Sequence, residues 1–262
     1  MPSGKQSKRR RRVAQAPPPP TRRAHGRRAS PVVLIAAAGV LALVVIGVVL
    51  GVVLTSGSGS SSSSSAAILP DAGDVQKLFA GIPQQGNVLG KPSAPVTMVE
   101  YVDLQCPFCQ QFETSAMPTL ISRYVRPGKL KVEMRPIAFL GVDSGRGQTA
   151  VTAAGKQNKL FNFAQLLYDN QGAENTGWLD DDMVQSAAAS IPGLDGNRFQ
   201  ENLDSSAVDE EVKKFNDEAS ADEISSTPTI LVGKAGTKPK PVTLTSPTDP
   251  SAVIAAVDAA LR

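Results

Sequence analysis

The chain reads as an α/β protein: a central sheet covered by helices, with a helical insertion, preceded by a single transmembrane helix and a Ser/Gly linker. Three observations point there. After residue 66 the patterned segments run strand, helix, strand, helical block, strand, strand, helix, which is a β–α–β unit followed by a hairpin and a helix. The helical block, about residues 145–205, is larger than a simple crossover and reads as an insertion. Ahead of all this, Val32 opens an uncharged apolar run that ends at Leu54 and is followed by TSGSGSSSSSS.

Residues 1–30 hold ten Lys and Arg and neither Asp nor Glu. Nothing in them can build a core, so a disordered, basic cytoplasmic tail is expected, drawn to anionic lipid; nucleic-acid contact is the competing reading. Residues 31–54 form the transmembrane segment. At about 1.5 Å per residue the run reaches about 35 Å, enough to cross a bilayer. It is longer than the roughly 7–15-residue apolar core of a cleaved signal peptide. All ten early positive charges precede it, which places the N-terminus in the cytoplasm and the body outside the cell membrane, on a single-pass anchor. Residues 55–65 are a flexible linker, and the body is 66–262.

Within the body, residues 69–79 read as a short helix or wrapping segment, and 86–95 as a turn-rich stretch with one short strand at 87–89. Residues 96–102 (VTMVEYV) are nearly all apolar, the pattern of a central strand buried on both faces. Residues 107–125 suit a helix with Phe112, Met117, Leu120 and Tyr124 inward, kinked at Pro118. Residues 130–139 alternate as a strand, 145–203 carry helical patterning, and 207–221 make a further helix. Strands at 229–232 and 241–244 and a helix at 249–261 close the chain. The acidic run Asp180 to Asp182 reads as a helix N-terminus, favoured by the helix dipole. Trp178 reads as a core or cap residue of the insertion.

Charge narrows the function. The formal net charge of +3 comes from 27 basic and 24 acidic residues. Without the ten basic residues of the tail, 17 face 24, so the body is acidic and nucleic-acid binding, which needs a basic face, is disfavoured. The chain has two cysteines, Cys106 and Cys109, and one histidine, His25, in the tail. Two cysteines cannot supply the four ligands of a structural zinc site. A body without histidine has no Ser-His-Asp or Cys-His catalysis. No metal and no cofactor are expected.

YVDLQCPFCQQF, residues 101–112, sits where the buried strand gives way to a helix. A thiol at a helix N-terminus faces the positive end of the dipole and unpaired N–H groups, which favour thiolate, the nucleophilic form. A second thiol one turn on can attack a mixed disulfide and release the substrate. Pro107 fits the first helical turn. A purely structural bridge is the alternative, but it would close a very short loop and stabilise little.

The same segment resembles the active site of thioredoxin-fold proteins of the DsbA-like class. GNVLGKPSAPVTMVEYVDLQCPFC looks like the start of their membrane-anchored or secreted branch, AAGKQNKLFNFAQLLYDNQ like the first part of its helical insertion, and SSTPTILVG like its cis-proline segment. The resemblance covers about residues 84–262 and implies a thioredoxin fold. By it, Cys106 is the exposed nucleophile and Cys109 the buried resolving thiol. Pro228 matches the proline with a cis preceding bond, which sets Thr227 against the dithiol as a backbone contact for substrate. Glu100 falls where the fold often buries a carboxylate that exchanges a proton with the resolving thiol; burial would raise its pKa. Asp103 points to the opposite face by strand alternation. The sequence departs from strongly oxidising relatives between the cysteines, where they carry a histidine and this chain has Pro107–Phe108. A lower reduction potential follows. Phe108 itself would contact unfolded, apolar substrate.

Three functions compete. The first is an extracytoplasmic oxidase that passes its disulfide to unfolded or cysteine-containing secreted proteins; by the resemblance, a quinone-linked membrane oxidoreductase reoxidises it. The second is a reductase or isomerase in the same compartment, with a resting dithiol. The third is a redox-inert binding module, which would survive loss of both cysteines.

Overall fold

The structure, a computed structural model, describes residues 66–262. The tail, the transmembrane segment and the linker expected over residues 1–65 lie outside the described residues. Among the described residues no helix is long and apolar enough to cross a membrane.

Six strands make one mixed sheet: β1 (Gln84–Gln85), β2 (Val88–Leu89), β3 (Val96–Val102), β4 (Leu130–Pro136), β5 (Thr229–Lys234) and β6 (Lys240–Val242), in the order β1-β2-β4-β3-β5-β6. Every residue of β3 is buried, as an apolar strand between two neighbours should be. It runs parallel to β4, from Val96 opposite Leu130 to Val102 opposite Pro136, and antiparallel to β5, with Glu100 opposite Ile230 and Tyr101 opposite Thr229. β4 alternates between buried and half-buried residues and ends at Pro136, short of the expected 139. The hairpin partner β1 was not legible in a two-residue polar stretch, Gln84–Gln85.

The helices are α1 (Ala72–Phe79), α2 (residues 107–125), α3 (Val142–Gly155), α4 (Leu160–Asp169), α5 (Asp181–Ala189), α6 (Gly196–Leu203), α7 (Ser206–Ala221) and α8 (Ser251–Leu261). One face of the sheet, carrying Met98, Val132 and Val232, packs in a core with Phe112 and Leu120 of α2 and Val253 and Val257 of α8. The other face, with Val99, Tyr101 and Leu231, packs on Ala219 of α7. The four inward residues expected on α2 are all buried. The expected kink at Pro118 takes another form. The segments Phe112–Ala116 and Ile121–Val125 wind as π-helix, and Met117 N–H reaches back to Phe112 O. Proline offers no N–H and its ring crowds the carbonyl four residues back; wider turns relieve both.

The insertion comprises α3 to α6, and its last two helices, α5 and α6, start at capping aspartates. Asp180 accepts the Met183 N–H at 2.9 Å, and Asp195 accepts those of Asn197 and Arg198. Ser205 caps α7 through the Val208 N–H. Each such cap contributes about 1 kcal/mol. Trp178 is half-buried against the core.

Candidate active site

The chain leaves β3 at Val102 and turns through residues 103–105 into α2. Cys106 is the N-cap of α2, still extended (φ −71°, ψ 119°), and Pro107 occupies the first turn. Cys106 O accepts the first helical bond from Gln110 N–H at 3.0 Å. Both cysteines are free thiols. The Thr227–Pro228 peptide is cis, and the Cys106 thiol donates to Thr227 O at 3.4 Å. The structure therefore brings together Cys106, Cys109, Thr227 and Pro228, which are 121 residues apart at the widest of these contacts.

The two thiols are unequal. A hydrogen bond from Cys109 holds the Cys106 thiol down to about 6, against the cost of burial. The Thr227 side chain adds to the lowering, and so do the backbone N–H groups of Phe108 and Cys109 at the open start of the helix. Burial pushes the Cys109 thiol well above the ordinary value, and its neighbour Cys106 pushes it further. One expectation is corrected here: Cys106 is not exposed but 4% accessible. Thr227 O lies on its sulfur, and the Gln171 side chain donates to its carbonyl at 3.3 Å. The aromatic beside it, Phe108, is the residue that faces solvent, at 57%.

Glu100 is fully buried in β3 on the face that meets α2. Burial drives its carboxyl well above the usual carboxylate range, and the negative neighbour Glu113 adds to the rise. Glu113 is itself buried, one helical turn after Cys109, and is pushed up to about 8, chiefly by burial. Neither Glu100 oxygen finds a hydrogen bond of good geometry, and Glu113 Oε1 does not either. Tyr168 closes this region, donating its O–H to Asp103 O at 3.2 Å.

Asp103 carries a structural load. Its carboxylate accepts backbone N–H bonds from Gln105 at 2.8 Å, Phe139 at 2.7 Å and Leu140 at 2.9 Å. Gln105 in turn donates to Ser144 Oγ and accepts Asn175 N–H, while Asn175 Nδ2 donates to Leu140 O. The turn before Cys106 is thereby tied to the loop after β4 and to the insertion. That loop exposes Phe139 (49%), and α3 opens on the exposed Val142 (83%), at the sheet end that bears Cys106.

Sequence reasoning missed Glu113, Phe139 and Val142. Glu113 carried a signal: four residues after Cys109, it shares that thiol's helix face. The exposure of Phe139 and Val142 carried none: Phe139 reads as the end of the alternating strand 130–139, and Val142 falls between that strand and the helical block.

A family model described as Thioredoxin matches residues 84–246. "Probable disulfide bond formation protein D" of Bacillus cereus is 31% identical over 159 residues, 60% of this chain and 73% of the relative. "Disulfide bond formation protein D" of Bacillus subtilis is 29% identical over 147 residues, 55% of this chain and 66% of the relative. The crystal structure of oxidised BdbD from Bacillus subtilis superposes with a TM-score of 0.59 at 25% identity, covering 69% of this chain and 97% of that one.

Proposed function

The chain belongs to the thioredoxin family, in its DsbA-like branch, and from that premise we propose that it is an extracytoplasmic oxidase that introduces disulfides into secreted proteins. It is a thiol:disulfide oxidoreductase. The observation that carries the direction is the inequality of its thiols: Cys106 is held down to about 6 at a helix N-terminus while Cys109 is buried and raised. A thiol that is a stable thiolate is a good leaving group, which favours giving the disulfide away.

In this reading a substrate thiolate attacks Cys106 Sγ of the Cys106–Cys109 disulfide. The bond between the cysteines breaks, and Cys109 leaves and takes a proton from Glu100. A second substrate thiol, having lost its proton to water, attacks the mixed disulfide. The substrate disulfide forms and Cys106 leaves as thiolate. Thr227 and Pro228 hold the substrate backbone beside the sulfur, and Phe108 offers an apolar contact to unfolded chain. A membrane oxidoreductase linked to quinone takes the two electrons from the reduced dithiol. Residues 31–54 hold the enzyme at the membrane, with the catalytic domain outside and residues 1–30 inside.

The Pro107–Phe108 dipeptide favours a second reading, a reductase or isomerase, because it brings no positive charge to the thiolate. The deciding experiment equilibrates the full chain with glutathione buffers and measures the reduction potential of Cys106/Cys109. An oxidising potential is expected. A value near that of cytoplasmic thioredoxins replaces the oxidase with a reductase. Retained function after Cys106→Ser and Cys109→Ser together would leave only a binding module.

A further inference from the structure

Two buried carboxyls lie behind the dithiol, and the strand neighbours give them no cation. Glu100 stands between Met134 of β4 and Ile230 of β5. Among the described residues, the ion pairs include neither Glu100 nor Glu113. Three of their four oxygens are buried without a hydrogen-bond partner. Two carboxylates cannot both stay charged in such a place; a shared proton removes the repulsion and most of the desolvation cost. Glu100 has no solvent contact, whereas Glu113 keeps 3%. Beyond Glu113 lies Asp169 of α4, half-buried and bonded to Gln165 Nε2 at 3.0 Å.

We propose that Glu113 is a positioning residue for the resolving thiol: it shares one proton with Glu100, links that proton to solvent on the Asp169 side, and so sets the pH at which Glu100 can take the proton of Cys109. This rests on the dithiol chemistry above. In the step concerned, Cys109 Sγ attacks Cys106 Sγ of a mixed disulfide. The Cys106–Cys109 bond forms, the bond to the outer thiol breaks, and that thiol leaves as thiolate. The proton of Cys109 passes to the Glu100 carboxylate. The titratable groups around Glu113 are Glu100 from β3, Cys109 from the start of α2, and Tyr168 and Asp169 from α4. The adjoining segment Met117–Leu120 contributes none.

The test uses the full reduced chain and glutathione disulfide, following release of the second glutathione in a single turnover across a range of pH. In the wild type the rate should rise with pH through the titration of the carboxyl pair. Glu113→Gln relieves Glu100 of its negative neighbour, so the midpoint should fall by about one pH unit, a tenfold change on the steep limb. Asp169→Asn, a change at the rim of the core, should move the midpoint the same way by less. The ultraviolet titration of the Cys106 thiolate should stay in place in both variants. Profiles that coincide with wild type in Asp169→Asn and Glu113→Gln overturn the proposal. So does a midpoint shift matched by an equal shift of the Cys106 titration, because Glu113 would then act on the nucleophile. If the wild type releases no second glutathione, the dithiol reading itself fails.

Discussion

Cys106 and Cys109 differ in acidity because they occupy different places on one helix. The first caps the N-terminus, where backbone N–H groups and Cys109 favour its thiolate; the second lies a turn inside, in apolar surroundings. The consequence for stability has a definite sign. A thiol lowered to about 6 in the folded chain but ordinary in the unfolded chain gives stability that is complete above the ordinary thiol value and lost as pH falls through about 6. The oxidised chain has no such thiol. The carboxyl pair acts in the opposite sense: its contribution is present below the ordinary carboxylate range and lost as pH rises through about 8. It is common to both redox forms, so below the ordinary thiol value, where the raised Cys109 thiol keeps its proton folded or unfolded, the difference between them isolates Cys106. Thermal unfolding of reduced and oxidised chains should show the reduced form gaining on the oxidised as pH rises above about 6. A difference that stays flat with pH would mean that Cys106 titrates as an ordinary thiol.

The turn that delivers Cys106 is not held by helix α2 alone. Asp103 gathers three N–H groups from two separate loops, and Gln105 and Asn175 extend the link into the insertion. Close packing reinforces it. Gly147 of α3 lies so near the turn that a Cβ there would meet Leu104 Cβ at 2.9 Å and Leu179 Cδ2 at 2.7 Å. The insertion is therefore a brace for the active-site turn as well as a cover. Asp103→Asn puts an amide where all three neighbours are donors. Each buried N–H left without its acceptor costs about 1–3 kcal/mol, so chemical denaturation should show a loss of at least that order. Amide exchange should quicken at Phe139 and Leu140. Wild-type stability in this variant would show that the loop is held by its packing and not by the carboxylate.

At the level of the whole molecule, the acidic catalytic body and the basic, apolar N-terminal region call for different surroundings. The full chain should sediment with membranes, and a form lacking residues 1–54 should not. A thiol reagent that cannot cross membranes should label Cys106 in intact cells once the dithiol is reduced. Labelling only after lysis would place the body in the cytoplasm. The sequence alone was enough for the central strand, the strand–CxxC–helix junction and the helix start at the Asp180 run, whereas the caps at Asp195 and Ser205 were seen only in the structure. The first three are written locally, in apolar runs, caps and periodicity over a few residues. Pro228 and Glu100 were reached through the resemblance to DsbA-like proteins. It took the tertiary structure to show that Thr227 lies on the Cys106 sulfur, that Cys106 is covered, and that Glu113 neighbours Glu100 with neither of them in an ion pair among the described residues. Those facts depend on how α2, α4 and the 227–228 segment meet across β3. Long-range packing sets the burial of a charge and the partner it finds, and no window of neighbouring residues contains that information.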